Sequence, residues 1–419
     1  MSSLTQSLDF ATRALEKEMG QLTQSIFFFS DGVQRAVVDG MFDLMEPKTW
    51  RPATLTRMSS DAAQAALHLS RFVVPGEAST AWEELGNKLE VFLLVSELPE
   101  ILKLRAGEWV ELPDLVERAY SLSAYAALWA VEGVGHYYGD AYWERNGQPK
   151  GLLLDESATV PEKSLLMLHA GIGLSFADRL LATVTRQSPA YAVHDVIEQF
   201  VNLCRDNARD GYLGPTVESL GLVTREFYPD MVGLVDEHLQ DVAPDLTGYY
   251  WHGVGRALYF SRRYFLPVLR TAWDSVDVEA PPGLAQANAM AGLAWAATLV
   301  NMRQPKIMEG ILHYIEKSPL ADAFSYGVSS SIMMREDTTP NEAFVSTFYE
   351  HEPCSGNQKL VLNWNKRVAG PAKTALRNIY PALKQHGRLG EIFQYQPLAD
   401  VVNKLGASSV ADPPAATVQ

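Results

Sequence analysis

The sequence predicts an all-α protein of stacked helical hairpins, and three observations lead there. Apolar residues recur at three- and four-residue spacing in segment after segment. Runs that alternate apolar and polar residues, the mark of a strand, are almost absent. Small-residue motifs return inside apolar runs at a nearly constant interval. They read Glu132-Gly133-Val134-Gly135, Ala170-Gly171-Ile172-Gly173, His252-Gly253-Val254-Gly255 and Ala291-Gly292-Leu293-Ala294, with weaker copies at Asp210-Gly211-Tyr212 and Tyr326-Gly327-Val328. Their first glycines stand at 133, 171, 211, 253, 292 and 327, so the gaps are 38, 40, 42, 39 and 35 residues. A period near 40 residues suits a helical-hairpin repeat of two helices and two turns, arranged as an open solenoid or a closed α/α toroid.

The elements follow in order. Leu4, Phe10, Leu15 and Met19 lie near helical spacing. Asp61 is placed to cap a helix over 62–69. The stretches 89–104 and 112–128 both carry helical periodicity. Tyr326 to Ile332 comes nearest to a strand, although its glycine and serines weaken that pattern. Breaks fall at Gly147–Gly151, Pro281-Pro282-Gly283 and Pro353–Gly356. These signals divide the chain into an N-terminal helical region (1–115), a glycine-motif helical-repeat domain (116–355), C-terminal helices (356–405) and a disordered Ala/Ser/Pro/Val-rich tail (406–419).

The composition narrows the function. With 419 residues, 47% of them hydrophobic, the chain has material for a large core. A net charge of −15, with basic runs no longer than Arg262-Arg263 or Lys366-Arg367, argues against nucleic-acid and anionic-membrane partners. The apolar stretch Ala289–Val300 is too short for ~30 Å of hydrocarbon. Two lone cysteines, Cys204 and Cys354, fit a reducing compartment, and no basic, then apolar leader opens the chain, so a cytoplasmic protein is expected. Dinucleotide, P-loop, zincin, calcium-loop and nucleophile-elbow motifs are missing. Asp236-Glu237-His238 lacks i, i+4 ligand spacing and reads as a solvated turn. No cofactor and no metal is expected.

Candidate chemistry gathers at the glycine motifs. Glycine inside a helix costs about 1 kcal/mol relative to alanine. Its repetition points to close helix approach, or to a row of helix N-termini facing one cavity. Three of the nine histidines flank these motifs: His136, His169 and His252. Each reads as a hydrogen-bonded core histidine or as an acid, base or ligand; a three-histidine metal site is the weaker alternative. Glu132, Asp178, Arg179 and Arg256 sit in the same apolar stretches. Buried charges need partners, so Glu132 or Asp178 is expected to pair with Arg256, while a Glu132 of raised pKa would serve as acid or base. Tyr138, Trp251 and Trp295 read as core residues or as a stacking wall for a flat apolar ligand.

Taken as an ordered series, these motifs resemble a bacterial domain-of-unknown-function family found in enediyne and other natural-product biosynthetic clusters. The counterparts are Glu132-Gly133, His169-Ala170-Gly171-Ile172-Gly173 with Ala177-Asp178-Arg179, Asp210-Gly211, Gly253-Val254-Gly255-Arg256-Ala257-Leu258-Tyr259-Phe260 and Gly292-Leu293-Ala294. They span roughly residues 120 to 355. Tyr259 stands where the family has tryptophan, and the glycine-rich continuation after Asp-Gly is missing beyond Gly214. The resemblance implies a role in specialised-metabolite assembly and brings no catalytic residue set.

From the residues themselves, a cofactor-independent enzyme acting on a large, apolar, polyketide-like intermediate is expected. His169, His252 and Glu132 would move protons and Arg256 would stabilise an enolate or phenolate. His136, Tyr138, Trp251, Trp295, Asp178 and Arg179 would contact the substrate. Cyclisation, isomerisation or cofactor-free oxygenation would all use these groups. The alternative is a non-catalytic helical-repeat protein that binds the intermediate or scaffolds a partner enzyme. Partners beyond the small molecule would be a second copy of the chain or a biosynthetic enzyme.

Overall fold

The computed structural model describes residues 78–105, 107–156, 159–261, 272–353, 357–398 and 400–401. The helices expected around Leu4–Met19 and after Asp61, the Arg262-Arg263 pair, Cys354 and the tail at 406–419 lie outside them. The protein is all-helical, with no strand among the described residues. It divides into two units, one formed by residues 1–92 and 260–274, the other by 93–259 and 275–419.

Of the first unit, the described part is mainly the start of α1 (Ala78–Ser96). Lys88 is buried there and pairs with Glu84 at 3.4 Å. Burial lowers its pKa against the pull of Glu84.

The second unit begins with the short α2 (Leu98–Ile101) and with α3 (Leu112–Tyr120), whose Leu112, Leu115, Val116 and Ala119 form one buried stripe. The periodic stretch 112–128 breaks at Ser121–Ser123 because Ser123 caps a new helix, accepting from the Ala126 N–H at 3.4 Å. That helix, α4 (Ala124–Asn146), stops at Gly147, whose φ of 80° needs glycine. Then come α5 (Leu152–Glu156), α6 (Leu165–Leu181), α7 (Ala190–Asn207), α8 (Leu213–Phe227), α9 (Val232–Val242) and α10 (Thr247–Phe260). They are followed by α11 (Ala272–Glu279), α12 (Leu284–Asn301), α13 (Pro305–Ile315), α14 (Ala321–Thr338) and α15 (Ala343–Tyr349). The next helix, α16, covers residues 358–385. It contains π-type turns at Asn365–Ala369 and Ala375–Ile379, each followed within two residues by a proline, Pro371 and Pro381. Widening the helix there accommodates a residue that has no N–H to donate.

Burial separates the helices into two kinds. Helix α6 buries every residue except Asp178 and Arg179, and α12 and α14 are almost as fully enclosed. Helix α7 buries one face only, through Val193, Ile197, Phe200, Val201 and Cys204. A helix apolar on all sides belongs in a core; one with a single apolar stripe covers it. The stretch Glu162–Leu181 is long and apolar enough to cross a membrane, yet 89% of that window is buried inside the protein, as in a core helix.

The strand-like segment Tyr326–Ile332 is helix, inside α14. Its serines turn inward on their own helix: Ser325 donates to Ala321 O, Ser329 to Ser325 O, Ser330 to Gly327 O and Ser331 to Val328 O. Each hydroxyl is satisfied locally, so a polar helix face is buried without partners from elsewhere.

The glycines lie in mid-helix and mark close crossings of core helices, not helix N-termini. A Cβ on Gly171 would lie 1.9 Å from Glu132 O, joining α6 to α4. One on Gly253 would lie 1.9 Å from Glu218 O, and one on Gly292 1.9 Å from His252 O. Gly173, Gly255 and Gly327 meet Thr216 O, Ala289 O and Ala291 O in the same way. In the first motif Gly135 makes the crossing, against Leu168 O at 2.5 Å, while Gly133 meets only the Leu98 side chain at 3.0 Å. Gly211 departs further. It occupies a turn at φ 81°, and a Cβ there would overlap Gly387 O. Gly221 serves in α8 instead, against Tyr250 O at 1.9 Å.

Candidate functional site

Three of those crossings press on the backbones of Glu132, Glu218 and His252, and the side chains of the same residues meet. Glu132 comes from α4, Glu218 from α8, His252 and Arg256 from α10, and Trp295 from α12. All are at most 3% exposed. Arg256 Nη2 donates to Glu132 Oε1 at 2.5 Å and Nη1 to Glu218 Oε2 at 3.2 Å. The other oxygen of Glu218 accepts from His252 Nδ1 at 3.3 Å. The Arg256 guanidinium lies 5.0 Å from the centre of the Trp295 ring. Phe393, in the 3-10 turn Leu389–Phe393, closes the cluster at 5.5 Å from the His252 ring and 5.6 Å from that of Trp295.

Two carboxylates share one guanidinium, so the group carries one excess negative charge when both are ionised. Burial raises the pKa of Glu132, and the Glu218 charge adds to it, against the lowering pull of Arg256. Burial lowers the pKa of His252 more than Glu218 raises it. Burial also opposes the Arg256 charge, but Glu132 and Glu218 together outweigh it and the guanidinium is held more firmly charged. Burial thus favours the neutral form of both Glu132 and His252.

An ionised Glu218 only accepts, so it holds the His252 proton on Nδ1. The Nε2 lone pair is left without a partner among the described residues, as are Arg256 Nε and Trp295 Nε1. One turn away along α4 and α12, Trp129 Nε1 and Thr298 Oγ1 are likewise buried and unpartnered. A carboxylate that orients an imidazole and leaves its far nitrogen free is the arrangement of a general base.

The remaining candidates are elsewhere. His169 is wholly buried, donates from Nδ1 to Leu165 O at 2.6 Å and accepts on Nε2 from the Arg209 N–H at 3.0 Å. Both ring nitrogens are occupied, so it braces the start of α6 and has no free atom for catalysis. Asp178 is exposed and is no partner of Arg256. Arg179 faces Asp140 at 3.4 Å and Glu144 at 3.8 Å, and His136 faces Asp140 at 3.5 Å. Tyr138 packs on Trp109 with ring centres 5.3 Å apart. Trp251 points away from its neighbour His252 and donates to Asp236 Oδ1 at 2.8 Å. The three glycine-flanking histidines form no common ligand group among the described residues.

Glu218 was missed in the sequence. Its signal was the one that singled out Glu132, a lone acid in an otherwise uncharged stretch, Gly211 to Thr224.

An open cleft of about 500 Å³ lies apart from this cluster, lined by Glu336, Asn341, Glu342, Tyr349 and Tyr380 among others. None of the residues singled out in the sequence lines it. The cluster is the better candidate because its polar groups converge and are desolvated, whereas the cleft offers volume without such convergence. The class of protein that fold and site define is thus an all-α protein with a buried cluster of ionisable side chains. In comparisons with known proteins, no family model, no curated protein and no solved structure matches the chain.

Proposed function

We propose that the protein is a cofactor-independent acid–base enzyme acting on an apolar, polyketide-like small molecule. The observation that carries this reading is the free, buried Nε2 of His252, oriented through Nδ1 by Glu218. In the proposed reaction Nε2 takes a proton from an acidic C–H or O–H of the substrate. The guanidinium of Arg256 faces the enolate or phenolate oxygen so formed. Glu132, whose pKa is raised by burial, returns a proton from its acid form at a second position, giving an isomerised or cyclised product of unchanged mass. Solvent resets both groups when the site opens. Displacement of the Leu389–Phe393 turn admits the ligand, because Phe393 covers the His252 and Trp295 rings.

The resemblance of the glycine-motif series to a natural-product family supports a specialised-metabolite substrate. We further propose that α4, α6, α8, α10, α12 and α14 form the inner ring of a closed α/α toroid. The support is Arg335, on the last of these helices, which donates to Ala124 O at 3.0 Å and Tyr125 O at 3.3 Å on the first.

The test deletes the gene in its own organism and complements it with wild type, His252→Gln or Glu218→Gln. Wild type is expected to consume an accumulated precursor. In D₂O the purified protein should add deuterium to the product. Both variants, if folded by circular dichroism, should lose at least about 100-fold in rate while still binding the precursor. Unchanged turnover by folded His252→Gln would falsify the acid–base reading. The complete burial of the cluster favours a second reading, a non-catalytic binding protein with Arg256 as a strut. Precursor binding by wild type without deuterium incorporation or product would select it.

A further inference from the structure

Outside the acid–base cluster, the described residues hold a second convergence of titratable side chains. His194 on α7 and His238 and Asp241 on α9 present one ligand atom each, and the three atoms lie within 4.8 Å of one another. The two imidazoles meet edge to face with ring centres 5.7 Å apart. His238 is 9% exposed, and neither of its ring nitrogens has a partner among the described residues. An imidazole buried with both nitrogens unmet costs free energy that a ligand would recover.

We propose that His194, His238 and Asp241 form a divalent transition-metal site, with zinc as the ion it takes, clamping α7 to α9. A point equidistant from three atoms at that spacing lies about 2.8 Å from each, so side-chain rotations of under about 1 Å reach the Zn–N and Zn–O lengths of about 2.0–2.2 Å. Two imidazoles and one carboxylate, with no thiolate, form a donor set of intermediate softness that suits zinc over calcium or magnesium. His238 and Asp241 stand three apart on α9 and so share its face. The neighbouring Asp236 is not a ligand, because its oxygens accept from Trp251 Nε1 and from Gln240 Nε2, both at 2.8 Å. The exposure of Asp241 leaves the fourth position to water.

The experiment is a zinc titration of the full-length, tag-free, chelator-stripped protein by calorimetry, with a thermal melt at each zinc level. One equivalent should bind with Kd below about 1 μM and raise Tm. His194→Gln and Asp241→Asn alter positions that are not fully buried, so both should fold. Each should weaken zinc binding at least about tenfold and abolish the Tm rise. Magnesium should produce neither effect. No saturable one-to-one binding, or equal zinc affinity in wild type and both folded variants, overturns the proposal. The second outcome would assign the zinc to the acidic surface of a chain with net charge −15.

Discussion

Arg256 holds the interior together through two carboxylates, and its removal should be felt as uncompensated charge as well as lost contacts. Arg256→Leu is expected to cost about 3–5 kcal/mol in urea unfolding, because Glu132 and Glu218 are stranded in a buried site. Adding Glu132→Leu to that variant should recover part of the loss; a double variant as unstable as the sum of the singles would refute the pairing. His169 makes a separate prediction. It is held neutral, mainly by burial, with its pKa lowered to about 4. Protonation would place a hydrogen on Nε2 against the Arg209 N–H. Because the unfolded chain binds this proton more readily, the histidine's contribution is complete above the ordinary pKa of about 6.5 and is lost as pH falls towards 4. The contribution amounts to about 3 kcal/mol. Urea unfolding between pH 4 and 7 should show this slope in the wild type and a shallower one in His169→Gln. At this scale much was legible: charges inside apolar runs marked Glu132 and Arg256, and His252 stood beside its glycine. The identity of partners was not, since Glu218 and Asp178 look alike in sequence while one is buried and the other exposed.

Among elements, the glycines decide how closely helices approach, and a contrast between two of them tests this. Gly171→Ala puts a Cβ against the α4 backbone at Glu132 O and should destabilise by about 3 kcal/mol or more. Gly310→Ala, in the exposed middle of α13 with nothing within 4 Å, should stabilise by about 0.5–1 kcal/mol. Equal effects in thermal or urea unfolding would remove the crossing argument. The near-40-residue spacing marked where most core helices cross, yet it misplaced one member, since Gly211 belongs to a turn and Gly221 to the crossing. Local pattern also misread α14, because serines that bond their own helix carbonyls escape the rule that buried segments look apolar.

For the whole second unit, the Leu389–Phe393 turn is the covering piece. Gly390 N donates to Gly211 O at 3.0 Å, Tyr395 N donates to Asn288 Oδ1 at 2.6 Å, and Phe393 covers His252. Phe393→Ala should speed carbethoxylation of His252, read by peptide mass spectrometry, while His169, enclosed elsewhere, reacts at its wild-type rate. Equal His252 reactivity in both proteins would show that access does not run through this turn. Arg335 is the corresponding test of ring closure. Arg335→Met should cost several kcal/mol, since the Ala124 and Tyr125 carbonyls lose a buried charged donor. The sequence by itself determined the all-helical class, the helix breaks at Gly147–Gly151 and Pro281–Gly283, most thin points of the core and the presence of ionisable groups within it. These depend on residue spacing and side-chain chemistry, which are local. Only the tertiary structure decided that Glu218 joins the cluster, that His169 is fully bonded elsewhere, and that His194 meets His238. Each of those depends on a contact between segments separated in the chain, and periodicity fixes which face of a helix is apolar but not what that face meets.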